Sequence, residues 1–274
     1  MIFARIAAGI VLGFVIRKAT PWLSGVQDEK GIRIPWPEAA GGLLFWLSGD
    51  RPDALVFSTL LLAVLTADFR YKLIPDRITY PGMLIGIVTS AIWPDWIASH
   101  FRQDVLLDMI GFGGGWLLGA MGALFGFCVF EGFRRLMSRI ANMEVMGMGD
   151  SKLVMMMGAF LGPFGVMLAL FPGMICGLVI GVIYTRIMKS PHFPFGPALG
   201  LGGFITLLAP NIVGDGITWM QDLGRKADRG LLLLINIALL GVAVWLMLRV
   251  RKRSQEYTDA IEKDYEKLEE REKK

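Results

Sequence analysis

Long apolar stretches, separated by short charged or glycine- and proline-containing connections, dominate the pattern along the chain. The first apolar run extends from Ile6 to Ile16. Later runs cover about 38–48, 53–67, 79–99, 106–130, 152–166, 167–186, 193–210 and 230–248. A helix needs roughly 20 apolar residues to cross the hydrocarbon core of a bilayer. The pattern therefore predicts an all-α, polytopic transmembrane protein with about eight or nine membrane segments.

Two of these runs need a separate interpretation. The 38–48 run is too short to span a bilayer alone, so we expect it to be tilted, re-entrant or longer than it looks. Gly162-Pro163 and Gly165 interrupt one long run over 152–186. Because glycine and proline punctuate helices, we predict two passes there.

Composition and charge exclude several classes of protein. Apolar residues make up 54% and charged residues 19%, against about 45–50% and about 25% in soluble domains. Cys128 and Cys176 both lie in apolar runs, which excludes a secreted disulfide scaffold and a CxxC zinc site. The basic residues stand mostly at the ends of segments, which indicates membrane topology and not a nucleic-acid partner.

The same pattern divides the chain into three parts. Residues 1–36 form an N-terminal membrane helix and a short cytosolic loop, and residues 37–250 form the membrane-embedded domain. Residues 251–274 are a charged cytosolic tail in which Tyr257, Ile261, Tyr265 and Leu268 make a thin apolar stripe at helical spacing. This stripe predicts a solvated amphipathic helix, and a homodimer through the tail is the alternative.

Acidic residues near the membrane core carry the candidate chemistry, because burying a charge there is costly and suggests function by default. The informative acids are Asp68, Asp76, Asp108, Glu131, Glu144 and Asp150. Asp68 closes one apolar run and Asp150 opens another. With alternating passes, both lie at the cytosolic membrane boundary, where two carboxylates from different helices can meet at one depth.

Such a pair is what an aspartyl protease requires. Two close carboxylates do not both ionise easily and therefore share a proton. One then acts as a base on water, while the other polarises the scissile carbonyl group. Boundary acids of this kind are also found as interfacial caps and as groups on transport pathways, so the residue types alone leave these alternatives open.

The residues around the two acids favour a cleft. Gly147 and Gly149 precede Asp150 and permit the close approach of another chain. Lys152 either sets the charge of the site or is a lysine snorkelling to the interface. The Pro194–Pro197 segment interrupts the start of a helix at the same face, and its open backbone is suited to docking an extended substrate.

Three motifs at these positions resemble those of the type IV prepilin peptidase family, a bacterial branch of the GxGD intramembrane aspartyl proteases. Asp68 to Pro81 resembles the D-x5-[LI]-P-D element with its following L-T-x-P. Glu144 to Leu153 resembles E-G-M-G-x-G-D-x-K-L, and Pro194-Phe195-Gly196-Pro197 matches P-F-G-P. The resemblance covers roughly residues 35–210.

The resemblance implies that Asp68 and Asp150 are the catalytic pair of an aspartic endopeptidase. It also implies substrates, namely type IV prepilins or pseudopilins, and a location in the bacterial cytoplasmic (inner) membrane with the site facing the cytosol. The residues expected to support the site are Asp76, Gly147, Gly149, Lys152, Glu144, Pro194, Phe195, Gly196 and Pro197. Glu144 either holds the basic stretch of a leader peptide or is a surface acid. Asp108 and Glu131 have no counterpart in the family, and we expect capping or salt-bridge roles for them.

The chain departs from the family pattern in two places. Val145 replaces the first glycine of its motif, which alters the loop more than the chemistry. The stretch from about Ala19 to Trp36 has no cysteine, whereas bifunctional members carry there a domain with two CxxC pairs linked to zinc. We therefore expect cleavage without a metal or other cofactor, and S-adenosylmethionine is needed only if N-methyltransferase activity is retained.

Three other functions are alternatives to this interpretation. A signal-peptide or presenilin-like protease is disfavoured by Ala67-Asp68 and by the P-F-G-P element. A transporter or channel using the boundary acids would be favoured by inverted repeats, and none is convincing in the sequence. A catalytically silent assembly protein of a pilus or secretion system is disfavoured by the intact Asp68 and Asp150.

Overall fold

The computed structural model describes residues 2–25, 36–49, 51–94, 114–141, 146–188 and 195–208. These residues form seven helices and no strand: α1 (Ile2–Ser24), α2 (Trp36–Ser48), α3 (Pro52–Tyr71), α4 (Asp76–Ile92), α5 (Gly114–Ala141), α6 (Met148–Met188) and α7 (Gly196–Leu208). The prediction of an all-α protein is confirmed.

Four described helical segments are long and apolar enough to cross a bilayer: Phe3–Ser24, Pro52–Tyr71, Gly114–Arg139 and Met148–Gly181. The chain is therefore a multi-pass membrane protein. The predicted total of eight or nine segments includes runs outside the described residues, such as 230–248, and stays a prediction.

The chain divides into two compact units, and nearly all described residues belong to the first, which comprises Met1–Arg135 and Met146–Gly216. The second unit comprises Leu136–Val145 and Ile217–Lys274. Of this unit the structure describes only the end of α5, at residues 136–141. The predicted 251–274 tail and its dimer stripe lie outside the described residues.

Helix α1 is longer than the Ile6–Ile16 apolar run, because the charged residue Arg17 after that run forms an ion pair with another helix. The Arg17 Nε lies 3.0 Å from Oε1 of Glu38 on α2, so the helix continues past Ile16 to Ser24. Helix α2 has 13 residues, a length of only ~20 Å at 1.5 Å per residue. Close approach of Gly9 to Gly41 packs the two helices together.

Helix α3 is the centre of the bundle and carries the first candidate acid near its end. Two thirds of its apolar window (67%) is buried, more than in the other three candidate spans. The helix ends at Lys72, whose left-handed backbone (φ 51°) lets its N–H bond the carbonyl oxygen of Asp68. Since Asp68 lies 16 residues after Pro52, α3 carries its side chain ~24 Å along the bundle.

Helix α6 is folded into a hairpin at Gly162. The backbone there is non-helical, with φ 70° and ψ 178°, a conformation that is essentially restricted to glycine. A Cβ placed on Gly126 of α5 would lie 3.2 Å from Val154 Cγ1 and also from Val166 Cγ2. In a straight helix these two valines would be ~18 Å apart along the axis. The predicted break is confirmed, and it separates a first arm (residues 148–161) from a second arm (residues 163–188).

Helix α5 packs against the first arm of α6 through small residues, and it extends beyond the apolar run of about 106–130. Gly122 and Gly158 approach each other so closely that a Cβ on either would meet the backbone of the other. The helix continues through Glu131 to Ala141. Glu131 does not end the membrane segment, since Arg134 binds it at 2.7 Å.

Helix α7 closes the bundle next to α3 and runs in the opposite direction. Its last turn accepts a hydrogen bond of 2.8 Å from Nη1 of Arg51, just before α3, to the Leu207 carbonyl oxygen. Its first residue, Gly196, lies against Asp68 near the end of α3. The start of α7 therefore belongs to the same end of the bundle as Asp68, far from the Arg51 contact.

Candidate active site

Asp68 is a buried carboxylate at the end of α3. Its residue is only 5% exposed, and the backbone N–H of Gly196 is a hydrogen-bond donor to its carboxylate. Gly196 is the first residue of α7, so the partial positive charge of a helix N-terminus also faces this acid. Among the described residues, Oδ2 of Asp68 is buried without a hydrogen-bond partner, which leaves one oxygen available for chemistry.

Asp150 approaches Asp68 from the first turn of α6. Asp150 is 8% exposed, and the two carboxylates are close enough to interact electrostatically. The two acids that the sequence analysis selected from different helices are thus brought together by the fold. Such proximity disfavours the doubly charged state of the pair.

Ile74, in the motif that begins at Asp68, packs against a glycine from each of the other two motifs. It follows α3 in the short extended link before α4 and is buried at 8% exposure. A Cβ on Gly149 would lie 3.0 Å from Ile74 Cβ, and a Cβ on Gly196 would lie 3.0 Å from Ile74 Cδ1. Glycine at both positions therefore lets α6 and α7 approach this link closely enough for their acidic and backbone groups to reach Asp68.

Lys152 connects the start of α6 to the start of α4. Its Nζ lies 2.6 Å from Oδ1 of Asp76 and 5.4 Å from the centre of the Tyr80 ring. Lys152 is thus paired with an acid and an aromatic face, a geometry that stabilises an ammonium group. The Asp76 side chain is 56% exposed, so this pair lies at the rim and not beside the buried carboxylates.

Glu131 forms a buried network that the sequence analysis did not include among the site residues. It was expected to be a capping or salt-bridge acid, and the structure shows salt bridges to Arg134 and Arg135. In addition, Ser151, the residue after Asp150, donates a hydrogen bond of 2.9 Å to Glu131 Oε2. The sequence signal was an acid inside an apolar helix with arginines three and four residues later.

The remaining candidate residues occupy different surroundings. Gly147 is exposed, and a Cβ there would approach only the Gly149 nitrogen, at 3.9 Å. Phe195 packs its ring against Gly177 on the second arm of α6, and Pro197 is buried in the first turn of α7. Glu144 and Pro194, like Asp108, lie outside the described residues, and the catalytic and supporting roles stay predictions.

Within the described part of the chain, no group of three or more histidine, cysteine or acidic residues is arranged to hold a metal ion. The two cysteines lie on different helices, with Cys128 exposed on α5 and Cys176 partly buried on α6. The groups that the structure places at this end of the bundle include the two carboxylates and the Gly196 backbone donor, with the Lys152–Asp76 pair at the rim.

Comparison with known proteins identifies relatives with a common activity in their names. A model of the type IV leader peptidase family matches residues 55–182, which include Asp68, Asp76 and Asp150. A prepilin leader peptidase/N-methyltransferase of Pseudomonas aeruginosa is 30% identical over 215 residues, covering 74% of this chain and 67% of that protein. The enzyme of the same name from Neisseria gonorrhoeae is 28% identical over 70% of this chain and 63% of its own length.

A third relative is described differently. It is a type 4 prepilin-like proteins leader peptide-processing enzyme of Escherichia coli, 28% identical over 64% of this chain and 54% of its own length. The chain thus spans about half to two thirds of the length of these curated relatives. No solved structure gives a significant match.

Proposed function

The chain belongs to the type IV leader peptidase family, and from this premise we propose that it is a membrane-embedded aspartic endopeptidase acting on prepilin-type leader peptides. The observation that carries the proposal is the meeting of two buried carboxylates, Asp68 and Asp150, from separate helices at one end of the bundle. The transporter alternative requires the same acids, but the family of the chain does not favour it.

In the proposed mechanism the two carboxylates share one proton and activate water directly. The charged acid takes a proton from the water as the water oxygen attacks the scissile carbonyl carbon, and the protonated acid donates to the carbonyl oxygen. Collapse of the tetrahedral intermediate breaks the C–N bond, and the proton held by the first acid passes to the leaving amine. As the carbonyl group re-forms, a hydroxyl group of the intermediate returns its proton to the second acid, which restores the starting pair. Atoms and charge balance without a metal or a covalent intermediate.

Asp68 and Asp150 have different surroundings that suit them to these two tasks. The Gly196 N–H donates to Asp68 and holds its carboxylate in one orientation. Its buried Oδ2 has no partner among the described residues and is directed to the reaction. Asp150 stands in the first turn of α6, where the helix N-terminus stabilises negative charge.

The substrates in this proposal are type IV prepilins or pseudopilins, whose leader is cut at the cytosolic face of the bacterial cytoplasmic membrane. Arg70, Lys72 and Arg77 lie at the same end of the bundle as Asp68, and basic residues favour the cytosolic side. Glu144, which lies outside the described residues, is the acid that we expect to bind the basic stretch of a leader. Apolar side chains such as Leu84 (59% exposed) cover the outside of α4, where the lipid bilayer is the expected partner.

The proposal covers cleavage, and N-methylation is a separate question. Relatives carry N-methyltransferase in their names, yet this chain has only Cys128 and Cys176, neither in a CxxC pair. S-adenosylmethionine is required only if methyl transfer takes place. A homodimer through the 251–274 tail stays a prediction, and no nucleic acid partner is proposed.

The test is mass spectrometry of a prepilin after incubation with the full-length chain in proteoliposomes, with S-adenosylmethionine present. We expect loss of the leader with the wild-type protein and none with Asp68→Asn or Asp150→Asn. Asp53→Asn is the matched control, because Asp53 is a buried acid at the opposite end of α3, paired with Arg51. It should cleave the substrate like the wild type.

Three outcomes separate the alternatives. Cleavage by correctly inserted Asp68→Asn and Asp150→Asn proteins would refute the two-carboxylate mechanism. An uncut prepilin, together with ion flux that disappears in Asp68→Asn, would favour a transporter. Leader loss without added methyl mass identifies a peptidase alone, whereas an added methyl group shows that methyl transfer does not need the cysteine-bearing domain.

A further inference from the structure

Glu131 is a buried acid for which the proposed cleavage mechanism has no use. Its residue is 4% exposed, although it lies within an apolar helix. Its carboxylate accepts hydrogen bonds from Nε and Nη2 of Arg134 at 2.8 and 2.7 Å, and from Nε of Arg135 at 2.7 Å. A fourth hydrogen bond comes from Oγ of Ser151 at 2.9 Å. The arginines neutralise the acid, and within the described part of the chain the Ser151 bond joins it to another helix.

The hydrogen bond from Ser151 to Glu131 holds the first turn of α6, which also carries Asp150. Successive residues of an α-helix point ~100° apart around the axis, so three neighbouring side chains of α6 face three different helices. Asp150 interacts electrostatically with Asp68 of α3, Ser151 bonds Glu131 of α5, and Lys152 bonds Asp76 of α4. The first turn of α6 is thus held on both sides of the acid.

The Ser151 bond is the better protected of the two flanking contacts. Ser151 is completely buried and Glu131 nearly so, whereas the Asp76 side chain is 56% exposed. Hydrogen bonds to a charged acceptor are strongest away from water. The first turn of a helix also lacks the backbone acceptors that hold later turns, so an outside anchor has a large effect on it.

We propose that Glu131, acting through Ser151, is a positioning residue that fixes the first turn of α6 so that Asp150 meets Asp68. This inference rests on the proposed function, because Asp150 is one of the two reacting acids. Glu131 itself does not touch substrate. The alternative is that the network only ties α5 to α6 and contributes to stability like any other buried hydrogen bond.

The decisive variant is Ser151→Ala, and Ser90→Ala is its matched control. Ser90 is a buried serine (4% exposed) of α4 whose Oγ donates to the Ala159 carbonyl oxygen on the same first arm of α6, at 2.8 Å. Each variant therefore removes one hydroxyl that bonds this arm from another helix. We expect both to lower the melting temperature similarly, while only Ser151→Ala lowers kcat.

The expected loss in kcat for Ser151→Ala is about tenfold, because one such hydrogen bond is worth about that factor when it acts on the reacting geometry. KM should stay within about twofold, since the leader binds outside this network. Ser151→Thr restores the hydroxyl group and should recover most of the activity. In Glu131→Met, which has no oxygen acceptor, adding Ser151→Ala should cause little further loss of kcat, because the two residues act through one bond.

Hydrogen exchange of the amides at residues 151–153, where the backbone hydrogen bonds of α6 begin, supplies a readout that does not depend on activity. Ser151→Ala should speed their exchange about tenfold relative to the wild type, and Ser90→Ala should not. An unchanged kcat, equal kcat losses in the two serine variants, or unchanged exchange would overturn the proposal. If the wild-type protein cuts no prepilin, the proposed function fails, and the exchange result still decides whether Glu131 and Ser151 position Asp150.

Discussion

Gly196→Ala is the change that most directly tests whether the position of Asp68 matters. A Cβ at residue 196 would lie 2.5 Å from Oδ2 of Asp68 and 3.0 Å from Cδ1 of Ile74. Ordinary contact begins at 3.4 Å, so the carboxylate must shift by about 0.9 Å (from 2.5 to 3.4 Å). The backbone N–H of residue 196 and the helical conformation stay available to alanine, so the perturbation is steric.

The size of the effect follows from this shift. A misplacement of ~1 Å in a reacting group can lower the rate about 10²-fold, equivalent to about 2.7 kcal/mol in the barrier. Stability should change much less, because alanine favours the helix over glycine by about 1 kcal/mol and partly offsets the crowding. We therefore expect kcat for prepilin cleavage to fall about 10²-fold, with nearly unchanged expression and thermal unfolding.

The assay is a time course of leader removal at saturating prepilin, together with thermal unfolding of the same preparation. Gly203→Ala on the same helix is the control, because its Cβ would meet the flexible end of Met157, at 2.7 Å, and the tip of the Phe57 ring, at 3.2 Å. That methyl group can move aside, so kcat should stay within about twofold of the wild type. A Gly196→Ala protein that cleaves at the wild-type rate would refute the argument that Asp68 must hold its present position.

Three further variants test other contacts. Lys152→Met removes the ion pair with Asp76 and should change the unfolding free energy by less than about 1 kcal/mol, because the pair is at the rim. Lys152→Arg keeps the charge, and a much larger loss of stability in Lys152→Met would show that the pair is structural. Arg51→Met removes the bond to the Leu207 carbonyl and also leaves the buried Asp53 without its partner. It should lower stability by about 2–4 kcal/mol with kcat unchanged, as measured by denaturation and cleavage. Gly158→Ala places a methyl group against backbone and should cost about 1–3 kcal/mol or reduce folded yield, whereas wild-type stability would contradict this packing.

The pattern along the chain predicts several helices closely where local residues mark their ends. The 53–67 run becomes α3 at Pro52–Tyr71, and the 193–210 run becomes α7 at Gly196–Leu208. Gly162 was identified as a break because its residue type permits the required backbone angles. In each case the residues of the segment itself are sufficient to predict the helix or its break.

The pattern of apolar residues underestimates the length of a helix where a charged side chain is neutralised by another charged residue. Helix α1 passes its expected end because Arg17 binds Glu38 of another helix. Helix α5 continues past residue 130 because Arg134 and Ser151 satisfy Glu131. A count of charges along one segment treats every charged side chain as exposed to lipid. In the fold, hydrogen bonds and ion pairs to other segments offset the free-energy cost of burying those charges.

The class of protein and the chemical groups available to it can be read from the amino-acid sequence. The length of the apolar runs requires membrane helices, and the acids at two run boundaries supply Asp68 and Asp150. That these acids come together, that Gly196 donates to one of them and that Glu131 reaches the turn of the other depends on the fold. Contacts between distant segments depend on how all the helices pack, and close packing at Ile74 and at the glycines sets those distances.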